Sequence, residues 1–320
     1  MAKVVVTGGA GFIGHNIVNK LLEDGHEVLV VDNLSKGDIK NLDTNKIQLK
    51  QVDLCDASQT KGILDDYEYC FHFAAKIGGI GYFHKYPAEI LRDNTLMLSH
   101  LLDAARDSKS FKKMIYVSSS MVFESTNKFP SKETDIGKIP PPASAYGFSK
   151  LIGEWYCQAF QKEFGLNYSI CRPFNAYGIN EAPGKEVGYA HVIPDLTKKM
   201  LSGQYPIELL GDGQQTRCFT HVRDLANGII AVMESKKAIN QDFNISNPEE
   251  TVILDLAKII WKLIGKKQAF RAKFVPSFTH DVKRRVPNPG KMKRLLNWEA
   301  KIRLEKGLPE VINWIKKKLQ

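Results

Sequence analysis

Tyr146-Gly147-Phe148-Ser149-Lys150 sets a phenol and an ammonium four residues apart, a spacing that places both on one face of a helix. An ammonium beside a phenol favours phenolate, so the pair is suited to moving a proton, with Lys150 expected to lower the phenol's pKa. Ser118-Ser119-Ser120 ends a β-branched run and could hydrogen-bond a substrate oxygen while sharing its proton with Tyr146. Alone, a Tyr/Lys pair is common on ordinary surfaces and a serine run is commonly a turn. Their weight comes from Thr7-Gly8-Gly9-Ala10-Gly11-Phe12-Ile13-Gly14, which follows a strand pattern and opens a helical one. Gly8, Gly11 and Gly14 permit a tight turn, close approach to a pyrophosphate and close packing of helix on sheet. Asp32 closes the second strand about 20 residues on, where an acid binds an adenosine ribose and repels a 2′-phosphate. NAD is therefore the expected cofactor, rather than NADP. Its contacts are expected to extend over Phe12, Ile13, Asn33, Asp53, Leu54, Phe73, Ala74, Ala75 and Pro173, with the small residues after the fourth strand letting a dinucleotide lie against backbone.

The elements that must position these groups follow from period. Short β-branched or aromatic runs occur at Val4–Thr7, Val28–Val31, Ile47–Gln51, Tyr69–Phe73, Met114–Val117 and Tyr168–Arg172. Helical patterns at Phe12–Asp24, Pro87–Arg106 and Ala145–Phe164 lie between them, and strand, helix, strand repeated in this way predicts an α/β fold with a doubly wound parallel sheet. After residue 174 the rhythm gives way to Gly- and Pro-rich loops and shorter helices, such as Leu254–Leu263 and Leu304–Lys316. The expected organisation is a dinucleotide-binding domain over 1–174 and a smaller substrate-binding domain over 175–320. The two interleave, because Asp242–Ile245 returns as one more strand of the main sheet.

Composition removes whole classes of function. With 43% hydrophobic and 25% charged residues the chain is globular, and no window supplies the ~18 apolar residues of a membrane helix. The N-terminus runs directly into a strand pattern without the layout of a signal peptide, so a cytoplasmic location is expected. The net charge of +10 is spread over scattered lysines with no basic helix or interleaved aromatics, so nucleic acid is not expected as a partner. The five cysteines are odd in number and never spaced as CxxC, which reads as reduced thiols, and no metal site is expected.

The glycine loop, Asp32, the serine run and YxxxK together resemble the extended short-chain dehydrogenase/reductase family, specifically its NAD-dependent nucleotide-sugar epimerases and dehydratases. The resemblance covers essentially the whole chain, since Arg172–Gly178, Gly211-Asp212-Gly213 with Arg217, and His221–Leu225 look like that family's nucleoside-diphosphate segments. It implies Asn175 and Arg217 on the diphosphate and His191-Val192 near phosphate and uracil. His191-Val192-Ile193-Pro194 and the loop Lys76-Ile77-Gly78-Gly79-Ile80 are also similar to the GDP-sugar 3,5-epimerases/reductases, which places Lys76 and Gly79 at the sugar. Registering the serine run on Val122-Phe123 puts Ser119 at the catalytic hydroxyl position, with Ser120 as the alternative.

Met121 bears most directly on the reaction. Dehydratases and decarboxylases of the family resemble one another in carrying a glutamate there and 3,5-epimerases a cysteine; a thioether moves no proton. The resemblance thus implies a 4-epimerase of a UDP-hexose or UDP-N-acetylhexosamine. The alternatives are a UDP-glucuronate 4-epimerase, a GDP-sugar 3,5-epimerase/reductase, and a non-catalytic NAD-sensing or RNA-binding relative. Arg285, in the run Asp281-Val282-Lys283-Arg284-Arg285, falls at the sugar-pocket wall, either as a partner for a uronate carboxylate or, as favoured here, a clamp on the diphosphate. A homodimer is expected through Pro87–Arg106 and Ala145–Phe164, on the apolar positions Leu91, Leu98, Leu102, Trp155 and Phe160.

Overall fold

Strands covered on both faces read as unbroken apolar runs, and those runs become the central sheet. The computed structural model describes residues 1–184, 189–278 and 282–320, so Asp281 of the basic run lies outside the described residues. The first six runs form β1 (Lys3–Thr7), β2 (Glu27–Asp32), β3 (Gln48–Gln51), β4 (Tyr69–His72), β5 (Lys113–Val117) and β6 (Tyr168–Pro173), and the late run forms β7 (Gln241–Ile245). All pairings are parallel, in the order β7-β6-β5-β4-β1-β2-β3.

Alternation along β1 sends Val4 and Val6 into one core and Val5 into the other. The first core packs against α1 (Gly14–Glu23) and the second against α2 (Pro87–Asp107), while α3 (Ala145–Phe164) lies beside α2. The fold is therefore a Rossmann-like α/β sheet. The strand order reverses between β1 and β4, and in open parallel sheets the crevice beyond the strand ends at such a point is where ligands bind.

Three helical boundaries have local causes. The first helix starts at Gly14 rather than Phe12, because Gly8 at φ +68° and the turn after it occupy the intervening residues. Ser144 caps α3 by accepting from the Gly147 N–H at 3.0 Å, and Gly165 at φ +72° ends it. The second half of the chain adds α4 (Val192–Leu201), α5 (Val222–Glu234), α6 (Ile253–Ile264) and α7 (Leu304–Leu319); α4, α6 and α7 share their own core around Leu196, Met200, Leu256, Ile260, Leu308 and Val311.

A buried polar chain runs beneath the strand ends. Ser118 Oγ donates to Glu154 Oε1 at 2.5 Å, and Arg172 donates to both Glu154 oxygens at 2.7 and 2.6 Å. On its other side Arg172 meets Asp242 at 2.8 Å, which Lys291 also pairs at 2.8 Å. Glu154 and Arg172 are almost wholly buried, so α3, β6 and β7 are joined by charge as well as by the sheet.

The apolar positions expected to face a second subunit are partly redistributed. Leu98 and Leu102 are fully buried within the protomer, because α2 uses them to cover the sheet, and Leu91 and Phe160 are only partly open. The exposed apolar residues of these two helices are Leu96, Phe148, Phe164 and above all Trp155, at 66% exposure. Among the described residues no helix is long and apolar enough to cross a membrane.

Candidate active site

The crevice at the reversal point opens into one cleft of about 1010 Å³, at the upper end of the range for a single small-molecule pocket. The individual cofactor, substrate and proton-transfer residues expected above lie on its wall, whereas Gly211-Asp212-Gly213 and His221–Leu225 do not; His221 and Arg223 instead bond Glu310. The glycine loop forms one end. A Cβ at Gly8 would stand 2.6 Å from the Ala74 backbone nitrogen, and one at Gly14 would stand 2.1 Å from the Gly8 carbonyl oxygen. Loop, β4 end and helix α1 thus approach as closely as backbone allows, leaving a cradle that any side chain would fill. Asp32 is held facing it by N–H groups of Ala10 at 3.0 Å and Leu34 at 2.8 Å, one on each oxygen. Because a carboxylate oxygen accepts more than one bond, the ribose hydroxyls can still be met. Thr7 Oγ1 lies 2.8 Å from His72 Nδ1, and burial drives the His72 pKa down to about 3, so the imidazole is neutral. A neutral, tightly packed floor with an acid at its far end fits NAD.

Tyr146 is buried in the middle of the cleft. Phe83, from the short helix Ile80–Lys85, stacks on its ring at 4.7 Å between centroids and 6° between planes. Burial raises the phenol above its usual range, while a hydrogen bond with Ser119 and the charge of Arg285 pull it back. Ser119, at the head of a 3₁₀ turn, also accepts from the Met121 N–H at 3.2 Å. The structure therefore joins Ser119 to the phenol, with Ser120 one residue inside the turn.

Lys150 departs from the expectation that it lowers the phenol directly. Its ammonium donates to the Val117 carbonyl at 2.8 Å and lies over the faces of Tyr116 and Tyr146, 5.3 and 5.9 Å from the ring centroids. The carbonyl at the end of β5 draws it to the rings' faces rather than to the Tyr146 hydroxyl. Burial brings its own pKa down to about 8, opposed in part by Glu154.

The substrate end is assembled from three short strands that carry no period of their own. Thr216–Cys218 pairs with Glu250–Val252 on one side and with Arg284–Arg285 on the other, and the register sets Arg285 directly beside Arg217. Paired residues project to the same face of a sheet, and both arginines line the cleft, with Arg217 Nη1 donating to the Thr216 carbonyl at 2.8 Å. Arg285 Nη2 lies 2.8 Å from the Met121 sulfur, and Met121 packs with Tyr146 and Ile90. Asn175, at φ +37°, donates one of its two amide N–H groups to the Cys218 carbonyl at 3.1 Å, leaving the other N–H and the oxygen for a ligand. Lys76 is drawn to Asp93 at 3.4 Å and Glu89 at 3.6 Å, and Gly79 begins the Ile80–Lys85 helix while donating its N–H to the Tyr189 carbonyl at 3.1 Å. His191 bonds Glu181, and the imidazole sits immediately before α4 with Val192 as that helix's first residue. Glu181 and Lys36 are cleft residues that spacing did not reveal; Lys36 crosses the cleft mouth to the Ile77 carbonyl and the Tyr82 ring. Among the described residues no cluster of His, Cys, Asp and Glu could hold a metal ion.

The chain is similar to known proteins along nearly its whole length. The profile of the NAD dependent epimerase/dehydratase family matches residues 4–246. A UDP-glucuronic acid decarboxylase 1 of Xenopus tropicalis is 30% identical over 320 residues, covering 99% of this chain and 73% of that protein. A putative UDP-glucose 4-epimerase of Methanocaldococcus jannaschii is 32% identical over 325 residues, covering 98% of both. The crystal structure of the Thermotoga maritima UDP-glucose 4-epimerase with UDP-glucose superposes with a TM-score of 0.89 at 32% identity, over 99% of this chain and all of that one.

Proposed function

Since this chain belongs to the NAD-dependent epimerase/dehydratase family, we propose that it interconverts C4 epimers of a UDP-hexose or UDP-N-acetylhexosamine. NAD, when bound, supplies a reversible hydride acceptor and a positive ring. Gly8, Gly11, Gly14 and Asp32 would hold it, with Phe73 to Ala75 beneath. Tyr146 takes and returns the proton of the C4 hydroxyl, Ser119 orients that oxygen, and Lys150 supports the charge on the phenol side from the ring faces. Arg217 and Arg285 hold the diphosphate, which leaves the sugar room to turn between the two half-reactions.

The observation that carries this reading is Met121, packed on Tyr146 where a reaction at a second carbon needs an acid or a base. Glu124, three residues on, accepts the Ser144 N–H on one oxygen at 2.9 Å. Incubation with UDP-glucose, UDP-N-acetylglucosamine and UDP-glucuronate in D₂O, followed by NMR, tests it. C4 epimers without deuterium at C3 or C5 are expected. Release of CO₂ from the uronate, or deuterium in the ring, would replace the assignment by a decarboxylase or a 3,5-epimerase.

The working form is proposed to be a homodimer through α2 and α3, because Leu96 on α2 and Phe148 and Trp155 on one face of α3 leave these neighbouring helices with uncovered apolar surface. Trp155→Glu is expected to yield monomer in solution scattering at micromolar concentration. A wild-type protein that is already monomeric there ends the proposal.

A further inference from the structure

Glu181 stands in the loop between β6 and α4 with its side chain 8% exposed. Its Oε1 bonds Nδ1 of His191, while Oε2 is buried without a hydrogen-bond partner. A buried carboxylate with one unmatched oxygen is stable only beside positive charge. The His191 ring is 55% exposed, and its open face is the cleft. With Nδ1 taken, Nε2 is the nitrogen left for a ligand.

The loop is registered to the glycine turn by a second histidine. His15, buried in α1, places Nδ1 2.9 Å from the Gly11 carbonyl, so Nδ1 carries the proton and Nε2 accepts from the Asn180 amide at 3.1 Å. Asn180, at φ +69°, immediately precedes Glu181. The charged groups acting on His191 are Glu181 from this loop, Arg285 from its short strand and Lys36 from the loop after β2. Burial opposes the imidazolium and the two cations add to that, but the charge and hydrogen bond of Glu181 outweigh them and leave the ring's pKa above its ordinary value.

We propose that Glu181 is a positioning residue that holds His191 as a cation with Nε2–H directed at the diphosphate, a titratable clamp beside the two permanent ones, Arg217 and Arg285. This rests on the reading that the substrate is a nucleoside-diphosphate sugar. An imidazolium is present below its pKa and lost as pH rises through it, so affinity should fall on the alkaline side.

The test is calorimetric binding of UDP-glucose, whose diphosphate does not titrate in the range used, to NAD-loaded protein carrying Tyr146→Phe to prevent turnover, from pH 5.5 to 9. Affinity is expected to drop roughly ten-fold across that range, as loss of one charge-assisted hydrogen bond implies. Glu181→Gln should weaken at lower pH than the parent does, Glu181→Asp should restore part of the profile, and His191→Asn should give a flat one. A parent profile that is already flat, or one that Glu181→Gln leaves unmoved, overturns the proposal. Should UDP-glucose not bind and GDP-mannose bind instead, the same titration with GDP-mannose applies. A sloping profile flattened by His191→Asn keeps the clamp while ending the uracil reading, and a flat one ends the clamp.

Discussion

Replacing Tyr146 by phenylalanine is expected to lower kcat by about 10²–10⁴-fold, the usual worth of a positioned proton-transfer group, with substrate affinity nearly unchanged. The substitution removes one oxygen from a ring that Phe83 clamps face to face, so the cleft wall keeps its shape. Few other groups are placed to take over. Ser119 is the hydroxyl already hydrogen-bonded to the phenol, but its ordinary pKa is far too high for it to act as a base, and the Lys150 ammonium is directed at the Val117 carbonyl. The wild-type rate should also fall as pH rises through about 8, because Lys150 is charged below that value and its positive charge beside the phenol is lost above it. Pre-steady-state and steady-state rates with bound NAD measured for both proteins provide the check. A variant rate within ten-fold of wild type would remove Tyr146 from the chemistry.

Glu154→Ala is expected to cost about 3–5 kcal/mol of stability, the penalty for leaving a buried charge without its partner. Arg172 would retain Asp242 but lose both bonds on its inner side, and Ser118 would lose its acceptor one residue from Ser119. Lys258→Ala, which breaks an exposed pair with Asp255 on α6, serves as the control and should change stability by less than about 1 kcal/mol. Equilibrium urea unfolding of the three proteins decides the matter. Equal losses in both variants would mean that the buried chain contributes no more than a surface pair.

What could be read from the sequence divides along the range of the interactions. The glycine loop, Asp32, and Tyr146 with Lys150 are local patterns, and β1, β2, β4 and β5 are largely apolar or aromatic runs, while the edge strand β3, Gln48-Leu49-Lys50-Gln51, is mostly exposed. The Arg217–Arg285 pair could not be found in this way, because strands of two and three residues have no period and their register is set by partners far along the chain. Glu181 sits in a Gly- and Pro-containing loop where no spacing marks it, and only its burial against His191 reveals it. The spacing of Lys150 from Tyr146 was legible, whereas the direction of its ammonium depended on a carbonyl of another strand. For α2, apolar residues on two rows of one helix gave no means of telling which row faced the sheet. Leu98 took the inner row and Leu96 the outer.

The pairing of β7 with β6 has a consequence for the nascent chain. When β6 emerges from the ribosome it is one rim of an otherwise formed parallel sheet, and its hydrogen-bonding edge stays open until Gln241–Ile245 has also emerged. At the usual pace of about 5–20 residues per second this leaves the edge unsealed for several seconds. During that interval Arg172 keeps Glu154 but lacks its outer partner Asp242, so the open rim carries a guanidinium with one side unpaired. A cationic residue on an unpaired strand discourages a second chain from adding to it. The same arginine that is locked between two acids in the finished protein is thus placed to guard the half-made one.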